Sequence, residues 1–92
     1  MKSIEIPIRI RNMNGWIKVQ DRCFKHGIYW KGTGNEKYYP MSFIRGLCII
    51  ICINDNRCTL MTDEYINIKP PHLSVTKFMK QNIINLIFDS LL

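Results

Sequence analysis

Seven consecutive apolar residues, Leu47-Cys48-Ile49-Ile50-Ile51-Cys52-Ile53, constrain the fold of this chain more than any other feature. The run is far shorter than the ~18 residues a membrane-spanning helix needs. It is rich in β-branched side chains and shows no apolar/polar alternation, so both faces of a strand built from it are hydrophobic. That pattern is expected of a strand covered on both faces, or of the central strand of a tight sheet. The rest of the chain must then supply neighbours on either side of it.

The flanking segments read as such neighbours. Ile4, Ile6, Ile8 and Ile10 alternate with Glu5, Pro7 and Arg9, which predicts a half-buried strand. Pro7 places that strand at or near a sheet edge, because proline cannot donate to a ladder. Asn12 or Asn14 caps a helix over 14–26, whose apolar positions Trp16, Val19, Cys23 and Phe24 follow helical spacing, with Gly27 suited to the left-handed position after it. Ile28-Tyr29-Trp30 is a short strand entering a Lys31 to Lys37 loop, and Tyr38-Tyr39-Pro40 resumes extended structure. Asn54 to Arg57 has turn chemistry, so Cys58 to Thr62 is the hairpin partner of the apolar run. Asp63 to Ile68 reads either as a helical turn or as an outer strand. After the stiff Lys69-Pro70-Pro71-His72 connector, Ser74 caps one terminal helix with Val75, Phe78, Met79, Ile83, Leu86, Ile87 and Leu91 in its stripe. The expected fold is α+β: a small, mostly antiparallel sheet with an N-terminal helix and a C-terminal amphipathic helix packed on one face.

Ninety-two residues suit a single domain spanning 1–92, which buries about 60–68% of its unfolded surface, enough for one core. Met1-Lys2-Ser3 runs into the first strand with no apolar signal region, so a cytoplasmic protein without membrane association is expected. Cys23, Cys48, Cys52 and Cys58 include no C-x-x-C, and neither His26 nor His72 has a partner at metal-ligand spacing. Reduced core thiols and no metal site are the expectation.

Charge is distributed unevenly. Residues 1–46 carry nine Lys and Arg against three acids, whereas residues 47–92 carry four of each, so the whole net charge of +6 belongs to the first half. A localised positive field beside aromatic rings favours flat anions, and nucleotides and nucleic acids lead that class. Lys18, Arg22 and Lys25 recur at i, i+4 and i+7 on one helix face. Arg9, Arg11, Lys31 and Lys37 add to the field from the strand and the loop. The anion-binding set expected from sequence is therefore Arg9, Arg11, Lys18, Arg22, Lys31 and Lys37, with Trp30 or Tyr38 as a stacking surface. Alternation lets only one ring of the Tyr29/Trp30 pair, and one of Tyr38/Tyr39, face inward. Gly32-Thr33-Gly34 lacks the spacing of a phosphate-binding loop and reads as a plain turn.

Catalytic signals are weak. The seven acids are scattered and form no general acid/base pair. Cys23 and His26 have a nucleophile-base spacing, but Cys23 lies on the apolar stripe and reads as a core thiol.

The segment Ile8 to Gly34, with a strand ending Ile10-Arg11-Asn12, then Val19-Gln20, Phe24, Gly27, Tyr29-x-Lys31 with Trp30 between, and a glycine loop, resembles a group of small proteins common in bacteriophage genomes. Such proteins continue into an apolar strand, a polar turn, a second strand and a Tyr-containing acidic segment, here Asp63-Glu64-Tyr65, so the resemblance extends over residues 6–80. It implies an accessory protein acting on a host process, with antagonism of host defence as the expected role. The long apolar C-terminal helix departs from the group's shorter ending. The expectation is a non-enzymatic protein without a cofactor, binding an anionic host molecule stoichiometrically, whether nucleotide signal or nucleic acid. The alternative is an inhibitor or adaptor that docks on a host protein through Ile83-Ile84-Asn85-Leu86-Ile87-Phe88. Apolar residues nearly all round that helix also predict a homodimer.

Overall fold

A computed structural model describes residues 4–32, 46–54 and 57–91. The fold is α+β. In chain order it comprises β1 (Ile4–Arg9), α1 (Met13–Lys25), β2 (Tyr29–Trp30), β3 (Leu47–Asn54), β4 (Arg57–Glu64), β5 (Leu73–Ser74), α2 (Val75–Lys80) and α3 (Ile83–Leu91). The strands form one sheet in the order β2-β4-β3-β1-β5, so the apolar run occupies the central position.

The register explains why that run needed no polar face. Ile49, Ile51 and Ile53 stand opposite Ile8, Ile6 and Ile4 of β1 and share the core with Leu60 of β4. Trp16, Val19 and Cys23 of α1, Phe78 of α2 and Ile83 of α3 close over that same face. On the other face Cys48 and Ile50 are also fully buried, so β3 is both central and covered on both sides. Pro7 pairs with Ile50 on its β3 side, and the outer pairing to β5 begins only at Ile8, as a residue without an N–H near an edge requires.

Helix α1 is bounded by sequence chemistry at both ends. Asn12 is extended, and its side-chain oxygen accepts from the Gly15 amide at 2.8 Å, while its carbonyl accepts from Trp16 at 3.1 Å. At the other end Gly27, at φ 75°, donates to the Phe24 carbonyl and Ile28 donates to the Cys23 carbonyl. These are the two bonds of a Schellman cap, whose left-handed residue favours glycine.

Three expectations are modified. The mostly antiparallel sheet carries two short parallel edges: β1–β3 and β3–β4 are antiparallel, but β1–β5 and β2–β4 are parallel. Helix α1 returns the chain from β1 on one side of the sheet to β2 on the other, so β2 joins β4 as a parallel edge strand. Second, the terminal helix is two helices. Ser74 caps α2 as expected, accepting from Lys77 at 3.0 Å, but Gln81 is extended and Asn82 begins a new helix by accepting from the Asn85 amide at 3.1 Å. Asparagine bonds neighbouring backbone more readily outside a helix than inside one, so Asn82 restarts the helix rather than continuing it. The stripe accordingly divides, with Phe78 and Ile83 buried and Met79 exposed. Third, residues 63–68 combine both readings: Asp63 and Glu64 complete β4, and Tyr65–Asn67 form a 3-10 turn that Asp63 fastens through Asn67 at 3.1 Å.

Candidate anion-binding site

Parallel pairing of β1 with β5 creates the site. Arg9 stands beside Ser74 at the ends of these strands, and each strand then leads into a helix, β1 into α1 through residues 10–12 and β5 directly into α2. Both helices therefore begin at one end of the sheet. They approach closely there, because Gly15 has no side chain: a Cβ at that position stands 3.2 Å from Val75 Cγ2. Ile10 is buried, so Arg9 and Arg11 on either side of it project away from the core. Asn14 and Lys18, four apart, share a face of α1.

The result is a cleft of about 270 Å³ lined by Arg9, Arg11, Asn12, Asn14, Gly15, Lys18, Ser74, Val75 and Thr76. Among these described residues three are cationic and none is acidic. The first turn of α1 also holds no acid, so the positive end of its macrodipole is uncompensated. Arg9 is half-buried with its guanidinium 4.1 Å from the centre of the Tyr65 ring. Its Nε is buried and has no acceptor among the described residues. An N–H in that position ordinarily finds a partner, and leaving it unpaired costs ~1–3 kcal/mol. Arg11 and Lys18 are exposed. The chemistry on offer is charge-assisted hydrogen bonding to an oxyanion.

Three of the six expected cations are thus brought together, and two of the described ones, Arg22 and Lys31, stand elsewhere. Arg22 is engaged elsewhere. It donates from Nη1 to the Phe78 carbonyl and from Nη2 to the Gln81 carbonyl, and its guanidinium lies 5.3 Å from the Phe78 ring. It fastens α1 to the end of α2, and its charge meets carbonyls rather than a ligand. Lys31 follows β2, at the opposite edge of the sheet from β5. Lys37 and Tyr38 lie outside the described residues, as do Thr33, Gly34, Tyr39 and Pro40.

Trp30 is corrected from stacking surface to core residue. It is 8% exposed, lies nearly parallel to Trp16 with ring centres 6.0 Å apart, and donates from Nε1 to Gln20 Oε1 at 2.8 Å. Its partner Tyr29 takes the outward position, as alternation requires, and leans on Phe24. Gln20, fully buried on the inner face of α1, went unrecognised in the sequence. The signal was its i, i+4 relation to Trp16 together with a second tryptophan whose N–H needed an acceptor.

The thiols are chemically quiet. All four cysteines are free. Burial pushes Cys23 up to about 12 and Cys52 up to about 11, and raises Cys48 and Cys58 as well. A thiol that holds its proton through neutral pH is a poor nucleophile. Among the described residues no group of His, Cys, Asp or Glu is arranged to hold a metal ion, and no helix is long and apolar enough to cross a membrane.

On the C-terminal surface, Ile83 is buried, Ile84 is 56% exposed, and Leu86 and Ile87 pack half-buried against the core. Of that apolar group, only Ile84 is exposed among the side chains described.

No protein-family model matches this chain, and comparison with curated proteins and with solved structures finds no match either.

Proposed function

We propose that this protein acts by stoichiometric binding of a phosphorylated anion in the cleft where α1 and α2 begin. In line with the resemblance to small phage accessory proteins, the anion is a host nucleotide signal or nucleic acid whose capture counters a host defence. One observation carries the binding role: three cations, Arg9, Arg11 and Lys18, line a single cleft with no carboxylate among its described residues. Cations kept only for solubility are usually interspersed with acids. Each charge-assisted hydrogen bond contributes roughly 1.5–3 kcal/mol, so three of them suffice for a small oxyanion without stacking.

The test is calorimetric titration of the whole protein with ATP and, separately, with a single-stranded oligonucleotide. Replacing Arg11 and Lys18 together with Glu should weaken binding at least a hundredfold, on the scale of two lost charge-assisted bonds. Both side chains are exposed, so the thermal midpoint should move little. Lys31→Glu should leave affinity within about threefold at moderate salt, since three strand spacings of about 4.8 Å separate β2 from β1, more than a Debye length of ~10 Å. Unchanged binding in the double variant rejects the cleft. The reading it would then favour is the protein-protein inhibitor, supported by the exposed Ile84 on α3.

A further inference from the structure

Resting on that reading of the cleft, we infer that it recognises phosphate groups alone and is indifferent to the base, taking the diphosphate or triphosphate portion of its ligand. Three observations lead there. The first is the lining, which consists of guanidinium, ammonium, amide, hydroxyl and aliphatic groups, with no aromatic ring among the described residues. Base recognition without sequence-specific hydrogen bonds relies on such rings. Three of the described rings are engaged elsewhere. Trp30 is locked against Trp16 and Gln20, Tyr29 stands on β2 at the far edge of the sheet, and the Tyr65 face carries the Arg9 guanidinium.

Size is the second. At about 270 Å³ the cleft stands at the lower edge of the ~300–1,000 Å³ usual for sites that enclose a whole drug-sized ligand. A phosphate chain fits such a space, while a nucleoside attached to it extends into solvent. The third is charge. Two arginines and a lysine supply +3, and a phosphoryl group carries about −1.5 to −2, so two phosphates match the lining better than one. Arginine forks bind phosphate oxygens in pairs, and Arg9 Nε is a buried donor without an acceptor among the described residues.

The experiment is a panel of titrations under one buffer and salt condition, with inorganic phosphate, pyrophosphate, tripolyphosphate, ATP, GTP, CTP and UTP. The expected result is that the four nucleoside triphosphates bind within threefold of one another, that tripolyphosphate and pyrophosphate bind within tenfold of them, and that inorganic phosphate binds at least tenfold more weakly than pyrophosphate. Arg11→Glu should weaken every tight ligand in the panel by a similar factor. A preference of more than tenfold for one base overturns phosphate-only recognition while leaving the cleft as a binding site. So does binding of ATP without tripolyphosphate. Failure of every compound, with retained binding of the oligonucleotide to the cleft, also overturns it and assigns the site to a nucleic-acid backbone. Failure of every compound and of the oligonucleotide rejects the cleft itself.

Discussion

Helices α1 and α2 run side by side, and their two ends treat positive charge in opposite ways. Where the helices begin, Arg9, Arg11 and Lys18 line a cleft with no acidic group among its described residues. Where α2 ends, Arg22 is bound to the Phe78 and Gln81 carbonyls and lies against the Phe78 ring. The four cations look alike in sequence. What separates them is the partner each finds: Arg22 meets the carbonyls at the end of α2, whereas Arg9, Arg11 and Lys18 line a cleft beside the positive start of α1, where an anion is favoured. The same electrostatic rule makes one end a fastening and leaves the other with unmet capacity.

The largest effect expected from that contrast is at the fastened end. Arg22→Met preserves length and removes two charge-assisted hydrogen bonds, leaving the Phe78 and Gln81 carbonyls in need of other partners. A loss of about 2–4 kcal/mol is expected, which for a domain of this size lowers the thermal midpoint by 10 °C or more. Affinity of the still-folded protein for pyrophosphate should stay within threefold. Differential scanning calorimetry and titration at a temperature well below the midpoint separate the two quantities. A variant with wild-type stability and lost binding would place Arg22 with the ligand cations and erase the contrast.

Trp30→Phe should come next. The substitution keeps an aromatic ring against Trp16 but removes the donor to Gln20 Oε1, leaving a buried amide oxygen short of a bond. Roughly 2 kcal/mol of stability should be lost, with nucleotide affinity unaffected. Chemical denaturation measures the first and titration with ATP the second. A selective loss of ATP affinity, with pyrophosphate binding intact, would restore Trp30 as a stacking surface.

These two residues show what could and could not be read in the sequence. The central strand, the Ser74 cap and Gly27 after α1 were legible, and the α1 cap was narrowed to Asn12 or Asn14, because each depends on local chemistry within a few residues. Convergence of Arg9, Arg11 and Lys18 was only half legible. Their charge was visible, but the cleft depends on β5, a two-residue strand whose parallel pairing with β1 spans more than sixty positions of sequence. Arg22 was misjudged for the same reason, since its acceptors lie 56 and 59 residues away. The broken terminal helix is different. Asn82 is a capping residue in an otherwise helical stripe, and a short local motif was outweighed by a longer periodic one.

The smallest expected effect lies on the seam between the two ends. Gly15 sits where α1 meets α2, and the Cβ of Gly15→Ala would stand 3.2 Å from Val75 Cγ2 and 3.4 Å from Asn12 Oδ1. Alanine favours the helix by up to ~1 kcal/mol. Val75 is β-branched and stiff at χ1, so the contact is relieved by moving the start of α2 a few tenths of an ångström rather than by rotating a side chain. Crowding and propensity oppose each other, and the net stability change should be within about 0.5 kcal/mol. Binding has no such compensation. Arg11 and Lys18 line the proposed cleft from the α1 side and Ser74 and Thr76 from the α2 side, so if an anion binds there, separating the helices should weaken pyrophosphate three- to tenfold. Titration alongside denaturation decides the matter: an affinity loss at constant stability ties binding to the spacing of the two helix starts, and unchanged affinity means that the α1 side holds the anion alone.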